Sequence, residues 1–580
     1  LLLRRGNTTR AISRIAMSEL ESKVAESGDD SMASAVEDES PVKAEPTPET
    51  ISAAEALKLE GNALLAGSKL VQAVGKYTAA IELHPTAIYL SNRAFCYVKL
   101  EQFGLAILDA DLALTLDSRY VKAYYRRGSA YMALAKYKLA VKDFRKVTKM
   151  QPKSKEAAAK LKAGEKMQKE AAFAAAIMTD ADVPLAEEIN PDEIAVGSGY
   201  DGPKLEDSGE VTMEFCEAMM ARFQESKLIH KKYIVQILCQ VYKVLKKSPS
   251  LMRLHIPEGE GGHFTVCGDT HGQFYDVLNI FKLNGLPSAK NPYLFNGDFV
   301  DRGSFSLEVV TTFLALKLAE PEGIFLTRGN HESKNMNKIY GFEGEVKHKY
   351  DQTVMTLFAE VFCWLPLAAT LDGGVFVTHG GLPAEDACKL DDIAAVRRGR
   401  EPPDSGIMSD LMWSDPQPFV GRSPSKRGVG MAFGPDVTKA FLEGNDLKLL
   451  VRSHEVKEEG YLVEHDGKCI TVFSAPNYCD QVSQRHTHTK VATMCLPFSS
   501  CSGACLRKAG VFAACSAKPC PFGYTENHEI SLAFLFFYAC EVFVCLSVLF
   551  ALQHPPTQGS RVFPLQSRSL PLVVLPRSLR

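Results

Sequence analysis

Phe264-Thr265-Val266-Cys267 runs directly into Gly268-Asp269-Thr270-His271-Gly272-Gln273, and this change from an apolar stretch to a polar, glycine-bounded cluster decides how the chain is read. The pattern recurs. Tyr293 to Phe295 leads into Asn296-Gly297-Asp298-Phe299-Val300-Asp301-Arg302-Gly303, and Ile324 to Leu326 into Arg328-Gly329-Asn330-His331-Glu332. Val375 to Val377 leads into Thr378-His379-Gly380-Gly381, and Leu449 to Val451 into Arg452-Ser453-His454-Glu455. Short apolar runs alternating with helical stretches predict the strands of an α/β domain. Donors at strand exits are held rigidly by a sheet, and glycine lets the loops approach one another closely. Carboxylates and imidazoles with an amide suit a pair of first-row transition ions rather than Mg or Ca, which favour all-oxygen shells. One Asp-x-His says little; an ordered set of such clusters says much.

Working toward the N-terminus, two helical patterns fill Val211 to Lys247, and before them the chain repeats itself. Small residues recur at Gly61, Ala94 and Gly128, a second small position at Ala73, Ala106 and Ala140, and a turn position at Pro85, Ser118 and Pro152. Each set steps by 33 and then 34 residues, the period of a tetratricopeptide (TPR) array of paired helices, with Tyr77, Tyr97, Tyr131 and Phe144 as wedges between them. The first helices of successive pairs carry Lys58 and Asn62, then Asn92, then Lys122 and Arg126. Residues four apart share a helix face, so cations and amides converge on one groove able to hold carboxylates. This resembles the carboxylate clamp of TPR co-chaperones, which implies as partner the acidic C-terminal peptide of the ninety-kilodalton heat-shock chaperone. Lys153 to Ile177 reads as a helix capping the array, and Thr179 to Asp207 as an acidic, aperiodic hinge.

Two further blocks, Lys426-Arg427-Gly428-Val429-Gly430 and Ser474-Ala475-Pro476-Asn477-Tyr478-Cys479, complete a series in which residues 264–480 resemble the catalytic domain of the phosphoprotein phosphatase family of Ser/Thr phosphatases. With the repeats, residues 54–481 resemble the TPR-bearing type within that family. The resemblance implies a central β-sandwich flanked by helices and hydrolysis of phosphoserine and phosphothreonine in phosphoprotein substrates. By motif it assigns Asp269, His271 and Asp298 to one metal ion, with Asp298 bridging to a second held by Asn330, His379 and His454. Two such ions, Mn or Fe/Zn, clamp a phosphoryl group and acidify a bridging water. Arg302, Arg427, Asn330 and Tyr478 are expected at the substrate, His331 as general acid and Asp301 as the group that orients it. The resemblance also implies that the array covers the catalytic channel until it is drawn away, with the turn around Glu101 meeting the arginines.

The remainder bounds these readings. A length of 580 residues calls for several units, and 66 basic against 69 acidic residues, a formal charge of -3, argue against nucleic acid as partner. A nuclease or phosphodiesterase reading lacks a basic stripe or aromatic platform. The alternative is an inactive TPR scaffold or co-chaperone with a truncated phosphatase-like domain. Residues 1–50 read as a leader and disordered acidic arm, 51–178 as the TPR domain with its cap, 179–210 as linker and 211–481 as the metallophosphatase domain. Residues 482–580 depart from the family pattern. Of 15 cysteines, seven crowd between Cys495 and Cys545, and the favoured reading is read-through or frame-shifted translation. The apolar run Ile530 to Leu552 is long enough to span a bilayer, and a membrane is expected only through it. Glu541 within it and the unbiased flanking charges weaken that reading. Without an anchor the chain is expected in cytoplasm and nucleus, with one at the endoplasmic reticulum membrane. Departure from the family after Gln481 predicts a missing strand and an exposed sheet edge.

Overall fold

The computed structural model describes residues 46–177, 183–258, 262–478, 490–497 and 510–515. The array comprises α1 (Pro48–Ala66), α2 (Leu70–Leu83), α3 (Ala87–Lys99), α4 (Phe103–Leu116), α5 (Val121–Ala133), α6 (Tyr137–Met150) and the capping α7 (Lys155–Ile177). Thr47 and Thr86 start α1 and α3 by accepting the backbone N–H of Thr50 and Tyr89. The recurrent small residues are where helices touch: a Cβ added at Gly61 would lie 2.7 Å from the Tyr77 ring. Buried ion pairs repeat with the helices, Arg93 with Asp109 at 2.7 Å and Arg127 with Asp143 at 2.8 Å. Within each pair the helices are joined through a left-handed residue, Ser68, Glu101 or Ala135 (φ 57, 61 and 55°). None is glycine, so the sharp turn is held against a local backbone cost by the packing around it.

Fourteen strands are described: β1 (Leu251–Leu254), β2 (His263–Cys267), β3 (Tyr293–Asn296), β4 (Ile324–Thr327), β5 (Ala368–Leu371), β6 (Val375–Thr378), β7 (Asp415–Pro416), β8 (Arg422–Pro424), β9 (Met431–Phe433), β10 (Leu449–Arg452), β11 (Tyr461–Glu464), β12 (Cys469–Val472), β13 (Lys490–Pro497) and β14 (Gly510–Cys515). They form a six-stranded sheet in the order β1-β5-β6-β10-β12-β11, a five-stranded sheet β14-β13-β2-β3-β4, and a small sheet β7-β9-β8. Side chains alternate across a strand. In β3, Leu294 enters the core between the sheets while Tyr293 and Phe295 face helices; in β10, Leu449 and Val451 point between the sheets and Leu450 points outward. Both faces are thus buried, which explains runs with no polar interruption. The expected β-sandwich flanked by helices is present.

Two expectations require correction. Residues 183–210, read as part of a linker, are packed on the catalytic domain: Glu360 accepts the backbone N–H of Leu185 and Ala186, each at 2.9 Å, and Ile189, Ile194, Val196, Tyr200 and Leu205 lie against the helical core. Aperiodic spacing hid these contacts because the segment packs as single short turns, Leu185–Glu188 and Pro191–Glu193, joined by irregular chain. Among the described residues, the edge of β2 expected to be exposed is instead paired. β13 lies antiparallel to β2, with Thr493 opposite Cys267, and β14 pairs with its other side. Backbone pairing needs no particular side-chain block, so the altered tail supplies the strand that family pattern alone did not reveal. The arm before residue 46 and the run 530–552 lie outside the described residues, among which no helix is long and apolar enough to cross a membrane.

Candidate dinuclear metal centre

The exits of β2, β3, β4, β6 and β10 converge, as the sequence predicts. Left-handed backbone concentrates here, at His271, Asp298, Asp301, Arg302 and His454 (φ 40, 52, 71, 74 and 68°), the kind of conformation that persists only when its surroundings over-determine it. Gly297 shows why a side chain is excluded beside the ligands: its Cβ would lie 2.6 Å from Gly329 Cα and 2.7 Å from His379 Nδ1.

Asp298 is shared by two buried groups of potential ligand atoms, one with His271 and His331 and the other with His379 and His454. His271 Nδ1 bonds the Val300 carbonyl at 2.9 Å and His379 Nδ1 the Asn296 carbonyl at 2.8 Å. As donors, those nitrogens leave each Nε2 lone pair facing inward, the arrangement usual behind metal-bound imidazoles. His379 Nε2 stands 3.0 Å from Asn330 Oδ1, 3.1 Å from His454 Nδ1 and 3.3 Å from Asp298 Oδ2. Atoms bound at about 2.1 Å in octahedral array lie about 3 Å apart, so these spacings are those of ligand edges. Asp269 is farther out, 3.8 Å from both His271 and His379, and its Oδ1 accepts the His454 backbone N–H at 3.0 Å. Burial pushes the His271 pKa down to about 3, with His331 adding to it, and burial with Arg427 keeps His454 well below its ordinary value. Both rings are therefore neutral. Burial opposes charge on His379 too, but Asp298 and Asp269 outweigh it and push its pKa to about 9, so this pocket attracts positive charge. The donor set fits a pair of transition-metal ions.

Around the ligands, His331 Nδ1 bonds Asp301 Oδ2 at 2.8 Å, and Asn337 Nδ2 donates both to that carboxylate at 3.2 Å and to the His331 carbonyl at 2.6 Å. Burial disfavours the His331 cation, yet Asp298 and Asp301 raise its pKa above the ordinary histidine value. Arg302 stacks on Tyr340 with 3.9 Å between guanidinium carbon and ring centroid, and its Nε is buried without a hydrogen-bond partner. Arg427 is held by Asp415 Oδ2 at 2.7 Å and by the His454 carbonyl at 2.7 Å. Tyr478 packs 4.9 Å from the His271 ring, centroid to centroid. Two acidic residues escaped sequence reasoning. Asp415 also accepts Arg452 at 2.8 Å, and Glu332 accepts the backbone N–H of Asp298, Phe299 and Gly329 at 2.8 to 2.9 Å. Glu332 adjoins His331 in its block; Asp415 sits in Trp413-Ser414-Asp415-Pro416, where no donor cluster marked it.

In the array, Asn92 Nδ2 donates to Asn62 Oδ1 at 3.2 Å, Lys58 pairs with Glu55, and Arg126 lies 3.9 Å over the Phe95 ring with Nε buried and unbonded. Lys122 is exposed on α5. The array also meets the catalytic domain. Glu101 forms an ion pair with Arg302, and Gly104 and Leu105, at the start of α4, donate to the Lys426 carbonyl at 3.0 and 3.3 Å.

A β-sandwich that gathers two His/Asp groups on one shared carboxylate beneath two arginines defines a metallophosphoesterase, and residues 262–458 match the calcineurin-like phosphoesterase family. Residues 161–253 match the PPP5 TPR repeat region and 121–154 a tetratricopeptide repeat. The chain is 51% identical to serine/threonine-protein phosphatase 5 of Rattus norvegicus over 77% of its own length and 90% of the relative. It is 49% identical to serine/threonine-protein phosphatase T of Trypanosoma brucei brucei, covering 75% of this chain and 91% of that one. A solved Saccharomyces cerevisiae protein serine/threonine phosphatase, described as similar to human phosphatase PP5, is 41% identical and covers 55% of this chain and 98% of its own, with a TM-score of 0.49. The chain belongs to the serine/threonine-protein phosphatase 5 family. It is a protein serine/threonine phosphatase with a TPR array ahead of a metallophosphatase domain, and the family implies a dinuclear metal centre.

Proposed function

We propose that the chain dephosphorylates phosphoserine and phosphothreonine at the centre described, under the control of its own array. Asp269, His271 and Asp298 would hold one ion, and Asn330, His379 and His454, together with Asp298, a second. The observation that supports this is that Asp298 lies within ligand distance of His271 on one side and of His379 and His454 on the other. A mixed set of three imidazole nitrogens and three carboxylate or amide oxygens suits first-row ions such as Mn or an Fe/Zn pair. Bound there, the ions supply charge for the phosphoryl oxygens and a water of lowered pKa. The protein supplies the rest. Arg302 and Arg427 present planar donors to the phosphate oxygens, Asn330 adds its amide, and Tyr478 lines the cleft. His331, with Nδ1 engaged by Asp301, presents Nε2 to the departing seryl or threonyl oxygen and gives it a proton. Manganese-dependent phosphate release from a phosphoserine peptide tests this. His331→Ala should lose at least about a hundredfold in kcat, whereas wild-type-like turnover would remove His331 from the reaction.

The array bears on the same site. Glu101 occupies Arg302, so substrate phosphate and the array compete for one guanidinium. The resting chain is autoinhibited, and an acidic C-terminal peptide of the ninety-kilodalton heat-shock chaperone, seated on Lys58, Asn62, Asn92, Lys122 and Arg126, draws the array away. Glu55, now paired with Lys58, is the side chain such a peptide displaces. Titration with a peptide bearing a free C-terminal carboxylate, against its amide, tests the clamp; equal affinities would refute it. Deleting residues 1–178 should raise the rate on a small phosphate ester, and an unchanged rate would refute autoinhibition. The buried free thiols of Cys96, Cys216, Cys239, Cys267, Cys363, Cys388 and Cys469 fit work in the reducing cytoplasm and nucleus.

A further inference from the structure

Asn296 ends β3 at the point where the two sheets come together, and it is fully buried. Its side-chain Nδ2 donates to the Thr378 carbonyl at 2.8 Å and to Ser453 Oγ at 2.9 Å, its Oδ1 accepts from Thr327 Oγ1 at 2.8 Å, and its own carbonyl accepts from His379 Nδ1 at 2.8 Å. Thr327 closes β4 in the same sheet; Thr378 closes β6 in the opposite one, and Ser453 directly follows β10 there. All three partners are fully buried. Thr378 immediately precedes His379, Ser453 immediately precedes His454, and Thr327 stands three residues before Asn330. One amide therefore spans both sheets and fixes the approach of every residue unique to the second ion, while touching none of their ligand atoms through its side chain.

We propose that Asn296 is the positioning residue of the second metal pocket, an inference that rests on the ligand assignment above. Both amide hydrogens are used, and a polar network so deeply buried is rigid when satisfied and costly when one member is removed. Leucine at this position leaves the Thr327 and Ser453 hydroxyls and the Thr378 carbonyl without their partner, so the three loops relax independently. The bonds behind His271, by contrast, do not pass through Asn296. Its loss should loosen the second ion and spare the first.

The test is equilibrium dialysis of the full chain against Mn with elemental analysis, together with the electron paramagnetic resonance spectrum. Wild type should take up two ions and give the spectrum of a coupled pair. Asn296→Leu should keep one ion with a mononuclear six-line spectrum, and its second half-saturation should move about tenfold or more, the usual effect of losing support behind a ligand. Thr327→Val, a nearly isosteric change, should shift the same step by a few fold, and Thr327→Ser should restore it. Two ions at unchanged half-saturation in Asn296→Leu, equal behaviour of the Val and Ser variants at Thr327, or parallel loss of both ions would overturn the proposal while leaving the ligand assignment intact. Absence of uptake by wild type would overturn both.

Discussion

Glu101 and Arg302, which lie in different domains, form an ion pair through which the array reaches a candidate phosphate-binding guanidinium. The left-handed turn at Glu101 is the structural repeat of Ser68 and Ala135, so a general feature of the array has been given a particular side chain at one place. The pair is partly solvent-exposed, and its value lies in occupancy rather than in stability. Glu101→Ala should raise the basal rate on a small phosphate ester several-fold with little change in melting temperature. Steady-state kinetics at saturating Mn check this, and an unaltered rate would show that Arg302 is already free for substrate.

The second contact predicts its own mutant. A Cβ at Gly104 would sit 2.5 Å from the Ser425 carbonyl oxygen and 2.7 Å from Gly428 N, both backbone atoms that a rotamer change cannot move aside. Gly104→Ala should push α4 off the loop carrying Arg427 and activate the enzyme even with Glu101 intact. The double variant Glu101→Ala with Gly104→Ala should gain little beyond the better single one, because each opens the same interface. Full additivity would mean that the contacts act separately.

Asp415 is a stability and orientation device whose pH signature can be derived. Burial opposes its ionisation, but Arg427, Lys426 and Arg452 outweigh that and hold its carboxyl well below the usual carboxylate range. A depressed folded-state pKa gives stability that is present above the unfolded value of about 4 and is lost as pH falls toward the folded one. Asp415→Asn leaves the charges of Arg427 and Arg452 facing an amide, a loss of about 3 to 5 kcal/mol at neutral pH. Denaturant melts should show the mutant and wild type converging below about pH 4. KM should rise as Arg427 loses its anchor, and a gap in stability that persists undiminished in acid would exclude this role.

The legible parts of the chain were those whose physics is local or periodic. Gly61 and Gly128 mark helix contacts because only a small residue fits beneath Tyr77 and Phe144, and that need repeats with the fold. Runs such as Tyr293 to Phe295 read as strands because both faces are buried, and Asp298, His331 and His379 stood out because their clusters follow such runs. What stayed hidden depends on pairing between distant residues. Nothing near Asp415 announces that Arg427 and Arg452 will close on it, and Asn296, though it opens its cluster, carries no legible role because its partners come from three other strand ends. Ile189 and Val196, which pack against the helical core, were hidden by the acidic residues around them.

Removing metal should affect the fold as well as the reaction. Asp269, Asp298, His379 and His454 are brought within hydrogen-bonding or ion-pair distance in a buried site, and ions bound only by the folded state stabilise it by mass action. Exhaustive dialysis against a chelator should abolish phosphate release and lower the melting temperature. Mn added at about a hundred times its Kd should return about 2.7 kcal/mol per ion. Recovery of stability without recovery of turnover would separate a structural ion from a reactive pair.

The tail makes the last prediction. β13 pairs with β2, whose exit carries Asp269 and His271, and β14 covers β13 in turn. Ending the chain at residue 489 would strip β13 from β2, leaving its backbone N–H and C=O groups along that side without partners and presenting a ready template for another chain. Every proposed ligand would still be present, so the defect should appear first as lower soluble yield and as aggregation that grows with concentration, and only then as lost activity. A chain ending at residue 497 keeps β13 but exposes its outer edge, and should fall between the two. If the chain ending at 489 stays monodisperse in light scattering with an unchanged melting temperature, the tail strands contribute nothing to the sheet, and the metal-bearing loop after β2 is supported by β3 and by the Phe473–Ser474 segment that bonds Gly268 and Asp269.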